Sequence, residues 1–204
     1  MHPLQLGRDQ FGDPAHAGNL PSREQAENLL LEWVPNERLR LHMRQVAGLM
    51  RAWAQEQGAD EQEQWKWELA GLLHDADWEK WPDRHCAVII EKLESLHTDP
   101  EVIHAIASHG PFYFGVEPVT EMDKMLYAFD ELSGFIHAYS LMRPDGYTGM
   151  EVKGVQKRLK DKTFASNVSR EDIEDACMRA GITREALILF IITHQGNITH
   201  ALGS

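Results

Sequence analysis

The chain has 204 residues, 43% of them apolar, which is enough for one domain with a real core. Its formal charge of −12 argues against a general binder of nucleic-acid duplexes or anionic membranes, which need a basic face, but leaves a nucleotide substrate open because a bound cation supplies local positive charge. The two cysteines, Cys86 and Cys177, show no CxxC spacing, the longest apolar run (Ala186 to Ile192) is far too short for a bilayer, and MHPLQLGRDQFGDPAHAGNLPS lacks a signal peptide's layout, so a cytoplasmic protein is expected.

Residues 1–21 carry Pro3, Gly7, Gly12, Pro14, Gly18 and Pro21 and read as a loop or loosely packed arm. Ser22 with Gln25 makes a capping-box pattern for a helix through about Val34, which Pro35 ends. Asn36 can cap the next, with Leu39, Met43, Val46, Leu49, Met50 and Trp53 at helical spacing and a stop at Gly58. Asp60 caps a third that runs through Trp65, Leu69, Leu72 and Leu73 to His74. After the loop ADWEKWPD, the spacing predicts a helix from about Arg84 to Leu96. Asp99-Pro100 starts another, with Pro at the tolerated first position, and His109-Gly110-Pro111 stops it. PFYFGVEPV reads as irregular. Thr120 caps a long helix through about Met142, and Val152 to Lys160, Arg170 to Ala180 and Arg184 to His194 are three more helical pieces. No alternating apolar-polar run is long enough for a strand. The expected fold is all-α, with residues 22–204 as a single compact multi-helix bundle behind the arm.

The apolar run Leu69-Ala70-Gly71-Leu72-Leu73 ends in His74-Asp75, where a helix normally ends in a cap or solvated charges. A neutral imidazole nitrogen beside a hard anionic oxygen suits a divalent first-row cation better than a thiolate-seeking one. His42 lies on an earlier helix, His85 and His109 follow, and Asp130 sits on a later one. Each has an ordinary reading when taken alone. His42, near Arg38, Arg40 and Arg44, is a surface or half-buried histidine, and Asp130 is a helix-surface acid beside Glu131. His109 is placed favourably by the dipole at a helix C-terminus. His85 is less ordinary, since a helix N-terminus disfavours imidazolium and so favours the neutral form a ligand needs. Lys80 and Arg84 can meet phosphate oxygens or lie in a solvated loop, and Arg143 is a further phosphate candidate. Trp78 and Trp81 flank the pair and can stack on a base. Lys153, Lys157 and Lys160 share a helical face, read first as a solvated one.

In order, His42, His74-Asp75 and Asp130 reproduce H…HD…D. With LLHDADWEKWPDRH (72–85), EVIHAIASHG (101–110) and MLYAFDELSGFI (125–136), the chain resembles the HD-domain superfamily of metal-dependent phosphohydrolases over roughly 36–140, residues 141–204 being a C-terminal helical extension. The resemblance implies that His42, His74, Asp75 and Asp130 hold a divalent transition metal: manganese, cobalt, nickel, iron or zinc. It implies cleavage of a phosphoester, in a nucleotide or another small phosphorylated metabolite, by metal-activated water. Asp75 is the natural centre, because its carboxylate can bridge two ions.

In two-metal branches a histidine shortly after the HD pair and an adjacent His-His pair hold a second ion. His85 and His109 match the first two of these, while Gly110 stands in place of the last. They are therefore second-metal ligands or contacts to substrate phosphate, one ion being expected and two left open. In one-metal members an acid in the following loop positions water, which makes Asp77, beside Asp75, the candidate general base. Lys80, Arg84 and Arg143 are the substrate-binding candidates. Two rivals stand beside this reading: a di-iron oxygenase on the same fold, and a non-catalytic metal-containing ligand-binding module. An oligomer is left open.

Overall fold

The computed structural model describes residues 5–8, 10–12 and 18–203. The rest of the predicted arm, with Pro3 and Pro14, lies outside the described residues. Among the described residues all regular structure is helical, apart from an isolated bridge between Asn19 and Thr98. No helix there is long and apolar enough to cross a membrane. The chain divides into two compact units, Met1–Tyr127 and Ala128–Ser204. The division falls inside a helix, whereas the sequence reading runs one domain from 22 to 204.

In the first unit, α1 (Arg23–Trp33) opens with the full capping box: Ser22 Oγ accepts Gln25 N–H, and the Gln25 side chain accepts Ser22 N–H. Asn36 caps α2 (Glu37–Glu56) and Asp60 caps α3 (Glu61–Leu73). Each cap places a short side-chain oxygen at first-turn N–H groups that have no intrahelical acceptor. α3 packs on α2, and Gly71 marks their close approach: a Cβ there would lie 2.8 Å from Ala47 Cα. The missing side chain lets the His74 end of α3 close against α2, which carries His42.

α4 (Ala87–Ser95) begins later than the predicted Arg84. Pro82–Arg84 forms a 3-10 turn, and Cys86 takes a left-handed φ of 43° just before the helix. The cause is a remote cap: Asp77 Oδ2 accepts the N–H of Ile89, in the first turn of α4. α5 (Pro100–Ser108) begins as predicted, with the Asp99 side chain accepting Glu101 N–H. PFYFGVEPV is not wholly irregular, since Pro111–Phe114 closes into a helical turn, α6, that ends on Gly115 at φ 69°. α7 (Glu121–Leu141) starts where Thr120 Oγ1 accepts Asp123 N–H.

The described part of the arm is tied down. Phe11 is 3% exposed, Leu6 N–H donates to the Phe114 carbonyl, and Arg8 makes paired bonds to Glu94. Leu30, Leu49, Leu69, Leu73, Ile89, Leu93 and Ile103 are fully buried in this unit.

The second unit holds the rest of α7 with α8 (Val152–Leu159), α9 (Arg170–Ala180) and α10 (Arg184–Ala201). α10 packs on α8 and α9 and runs past the predicted end at His194. Gln195 and Thr199 are buried there, Gln195 donating to the Ser133 carbonyl, so polar residues continue a face whose apolar spacing stops earlier. The loop before α9 is gathered by Arg170, whose guanidinium donates to the carbonyls of Asp161, Phe164, Ala165 and Val168.

Candidate metal centre

Two helix ends and one loop in the first unit deliver three histidines. His74 and His109 occupy the C-cap positions of α3 and α5. The last carbonyls of a helix lack intrahelical donors, and each ring uses one of them. His74 Nδ1–H donates to the Gly71 carbonyl at 2.8 Å, and His109 Nδ1–H to the Ile106 carbonyl at 2.6 Å. A carbonyl only accepts, so both rings carry a proton on Nδ1 and, when neutral, a lone pair on Nε2. His85 is held by a carboxylate instead, its Nδ1 lying 2.7 Å from Asp77 Oδ1.

All three Nε2 atoms face Asp75. His74 Nε2 is 3.5 Å from Oδ2, while His85 and His109 Nε2 lie 3.3 and 3.6 Å from Oδ1. The rings of His42, His74, His109 and His85 follow one another edge to face, with centroid separations of 5.5, 5.1 and 5.4 Å. Burial opposes ionisation of Asp75, but His74, His109 and His85 hold its carboxyl well below the usual range. Burial likewise opposes the His85 imidazolium, and the bonds and charges of Asp75 and Asp77 outweigh it and raise the ring to about 9. Ligand-type atoms of His42, His74 and Asp75 lie within 4.8 Å of one another, as do those of Asp75, His85 and His109. Asp130, the fourth ligand that the resemblance implies, lies on α7 just past Tyr127, in the second unit.

This donor set fits a divalent cation. Imidazole nitrogens and carboxylate oxygens suit first-row dications. The outward Nδ1–H bonds are what a histidine ligand requires, because they fix its tautomer and ring orientation. Asp75, shared by both groups, has one oxygen toward His74 and the other toward His85 and His109.

The structure corrects the role expected of Asp77. It is fully buried, with one oxygen engaged by His85 and the other by Ile89 N–H, so it orients a histidine and caps α4. Glu79, the other acid of the loop, accepts Asn36 N–H. The basic candidates are also engaged. Lys80 Nζ donates to the Glu32 carbonyl, Arg84 pairs with Glu91, and Arg143 bonds the carbonyls of Gly146 and Thr148 in its own loop. None of these bonds reaches Asp75.

Gly110 has its own explanation. A Cβ there would lie 2.9 Å from the Phe114 ring, which packs on His85 at 5.2 Å and His109 at 5.0 Å between centroids. Phe114 thus covers the two histidines beside the position where a second histidine of a pair would project.

Sequence reasoning missed Asp77 as a positioning residue and Phe114 as a cover. The repeated pattern of a helix-ending histidine three residues after a helical carbonyl, in Gly71-Leu72-Leu73-His74 and Ile106-Ala107-Ser108-His109, was an available signal. Residues 40–134 match the family model described as HD domain. No curated protein and no solved structure matches the chain significantly.

Proposed function

From residues 40–134 as an HD domain, which places the chain in the HD superfamily of metal-dependent phosphohydrolases, we propose that this protein hydrolyses a phosphoester of a small phosphorylated metabolite. The observation that carries the reading is the convergence of three anchored Nε2 atoms on the Asp75 carboxylate. His42, His74 and Asp75, with Asp130 as the family pattern implies, would hold one divalent ion, and Asp75, His85 and His109 a second. Such ions supply Lewis acidity, making water nucleophilic near neutral pH and withdrawing charge from the phosphoryl group.

The chain's own residues do the positioning. Asp77 fixes the tautomer of His85, the Gly71 and Ile106 carbonyls fix those of His74 and His109, and Phe114 shields the His85 and His109 rings from water. With Asp77 and Glu79 engaged, the loop after Asp75 supplies no general base from either acid, and proton acceptance falls to the metal-site carboxylates.

We place the protein in the cytoplasm, where its two cysteines, both buried and unpaired, remain thiols. The test is release of phosphate from a panel of monoesters by manganese-loaded protein. Turnover that vanishes in Asp75→Asn supports the reading, and no turnover with any metal or ester contradicts it. The pair of ligand groups sharing Asp75 also favours a second reading, di-iron oxygenation. Consumption of dioxygen by the iron-loaded protein, with no phosphate release, would select it.

A further inference from the structure

We propose that Trp78 is a specificity-determining residue that stacks on a flat, unsaturated ring in the organic part of the substrate. The inference rests on the phosphohydrolase reading for where the phosphoryl group sits. The loop 76–81 is a fixed support. Trp78 N–H donates to the carbonyl of Asp75 at 3.1 Å, so its backbone is tied one turn from the central carboxylate.

The neighbouring loop side chains are committed to the protein. Asp77 holds His85 and Ile89, Glu79 holds Asn36, Lys80 holds the Glu32 carbonyl, and Trp81 packs edge-on to Trp33 at 4.8 Å. Trp78 is the loop side chain whose ring meets a histidine of the centre, and it is exposed. Its indole meets the His85 ring at 5.0 Å and 89°, and it is 40% exposed.

An indole is costly to leave in water, and core packing does not account for this one. Its place is one ring away from an imidazole whose Nε2 faces Asp75. A phosphoester with its phosphoryl group at Asp75 and its organic part directed past His85 would meet the exposed indole of Trp78. Stacking of a base on an aromatic residue is strong enough to select such a substrate.

The experiment compares adenosine 5′-monophosphate with ribose 5-phosphate on manganese-loaded protein. Both present the same primary alkyl phosphate, and only one carries a base. The expected result is a higher kcat/KM for the nucleotide in the wild type, residing in KM. That ratio falls about tenfold in Trp78→Ala and is kept in Trp78→Phe. Damage to the metal site would lower both activities and leave the ratio where it was.

Calorimetric binding of the same two ligands is read alongside, with or without turnover. If neither ester is hydrolysed, the phosphohydrolase reading goes to the wider panel of esters and metals, while binding of these two ligands still decides the role of Trp78. A nucleotide that binds no tighter than ribose 5-phosphate, or a ratio unchanged in Trp78→Ala, would overturn the proposal.

Discussion

Two histidine-carboxylate clusters lie in the first unit, built from the same residue types to different ends. Around Asp75, three histidines direct Nδ1–H outward to fixed acceptors and Nε2 inward to one carboxylate. At the start of α7, His104 Nδ1 donates to Asp123 Oδ2, which also accepts the N–H groups of Val119 and Thr120. That carboxylate is a helix cap, and the single histidine ties α5 to it while Phe11 packs against the ring. The difference teaches that histidine and aspartate become a ligand set when several lone pairs meet at one point. Where they do not, the same chemistry makes a structural link.

The comparison breaks most sharply at its shared carboxylate. Asp75→Ala should abolish metal binding at both groups and with it turnover, measured by elemental analysis and phosphate release. Asp77→Asn leaves the ligands in place but removes the charge that orients His85. It should weaken metal affinity by about 10- to 100-fold, read by chelator competition. An Asp77→Asn protein with wild-type affinity would show that the outer bond is idle.

Gly71→Ala pushes α3 from α2, since its Cβ meets backbone at 2.8 Å. It should cost about 1–3 kcal/mol in urea unfolding, with weaker metal binding because His74 moves with the helix.

The smallest effect belongs to the structural link, where pH sharpens the contrast. His104 is raised, chiefly by its bond to Asp123 against the cost of burial. Asp123 is lowered: burial opposes this, and the bonds from His104, Thr120 and Val119 prevail. A depressed carboxyl contributes stability above its unfolded pKa and loses it as pH falls through the folded value. A raised imidazole contributes fully below its unfolded pKa, about 6.5, and loses that as pH rises through the folded value. The link is therefore worth most near pH 5–6, roughly between the two unfolded values. His104→Gln should lower Tm by about 2–4 °C there, less at pH 9, and leave metal content unchanged. An equal loss at both pH values would remove the ion pair from the account.

The α-helical plan was legible because caps are local. Ser22, Asn36, Asp60, Asp99 and Thr120 each act within three residues of their position, and all five do what their spacing predicts. The start of α4 was not legible, because its capping carboxylate, Asp77, comes from the far side of a loop. The end of α10 was hidden for a related reason: Gln195 is buried through a bond to the distant Ser133 carbonyl.

At the site, the residue types and their order pointed to Asp75 and its histidines. What order could not show was which side chains were already spoken for. Asp77, Lys80 and Arg84 read as catalytic or phosphate-binding by composition, and their partners His85, Glu32 and Glu91 appear only when the chain is folded. Trp78 was visible as an aromatic near the pair, but its exposure and its contact with His85 are properties of the fold.

The most direct test of the metal centre is elemental analysis of purified protein, reconstituted with manganese and desalted, beside Asp75→Ala and His104→Gln. The account predicts one to two equivalents in the wild type and in His104→Gln, and none in Asp75→Ala. A wild type that binds no metal after reconstitution, or an Asp75→Ala protein that keeps it, would contradict the claim that these histidines converge on Asp75 to hold a cation.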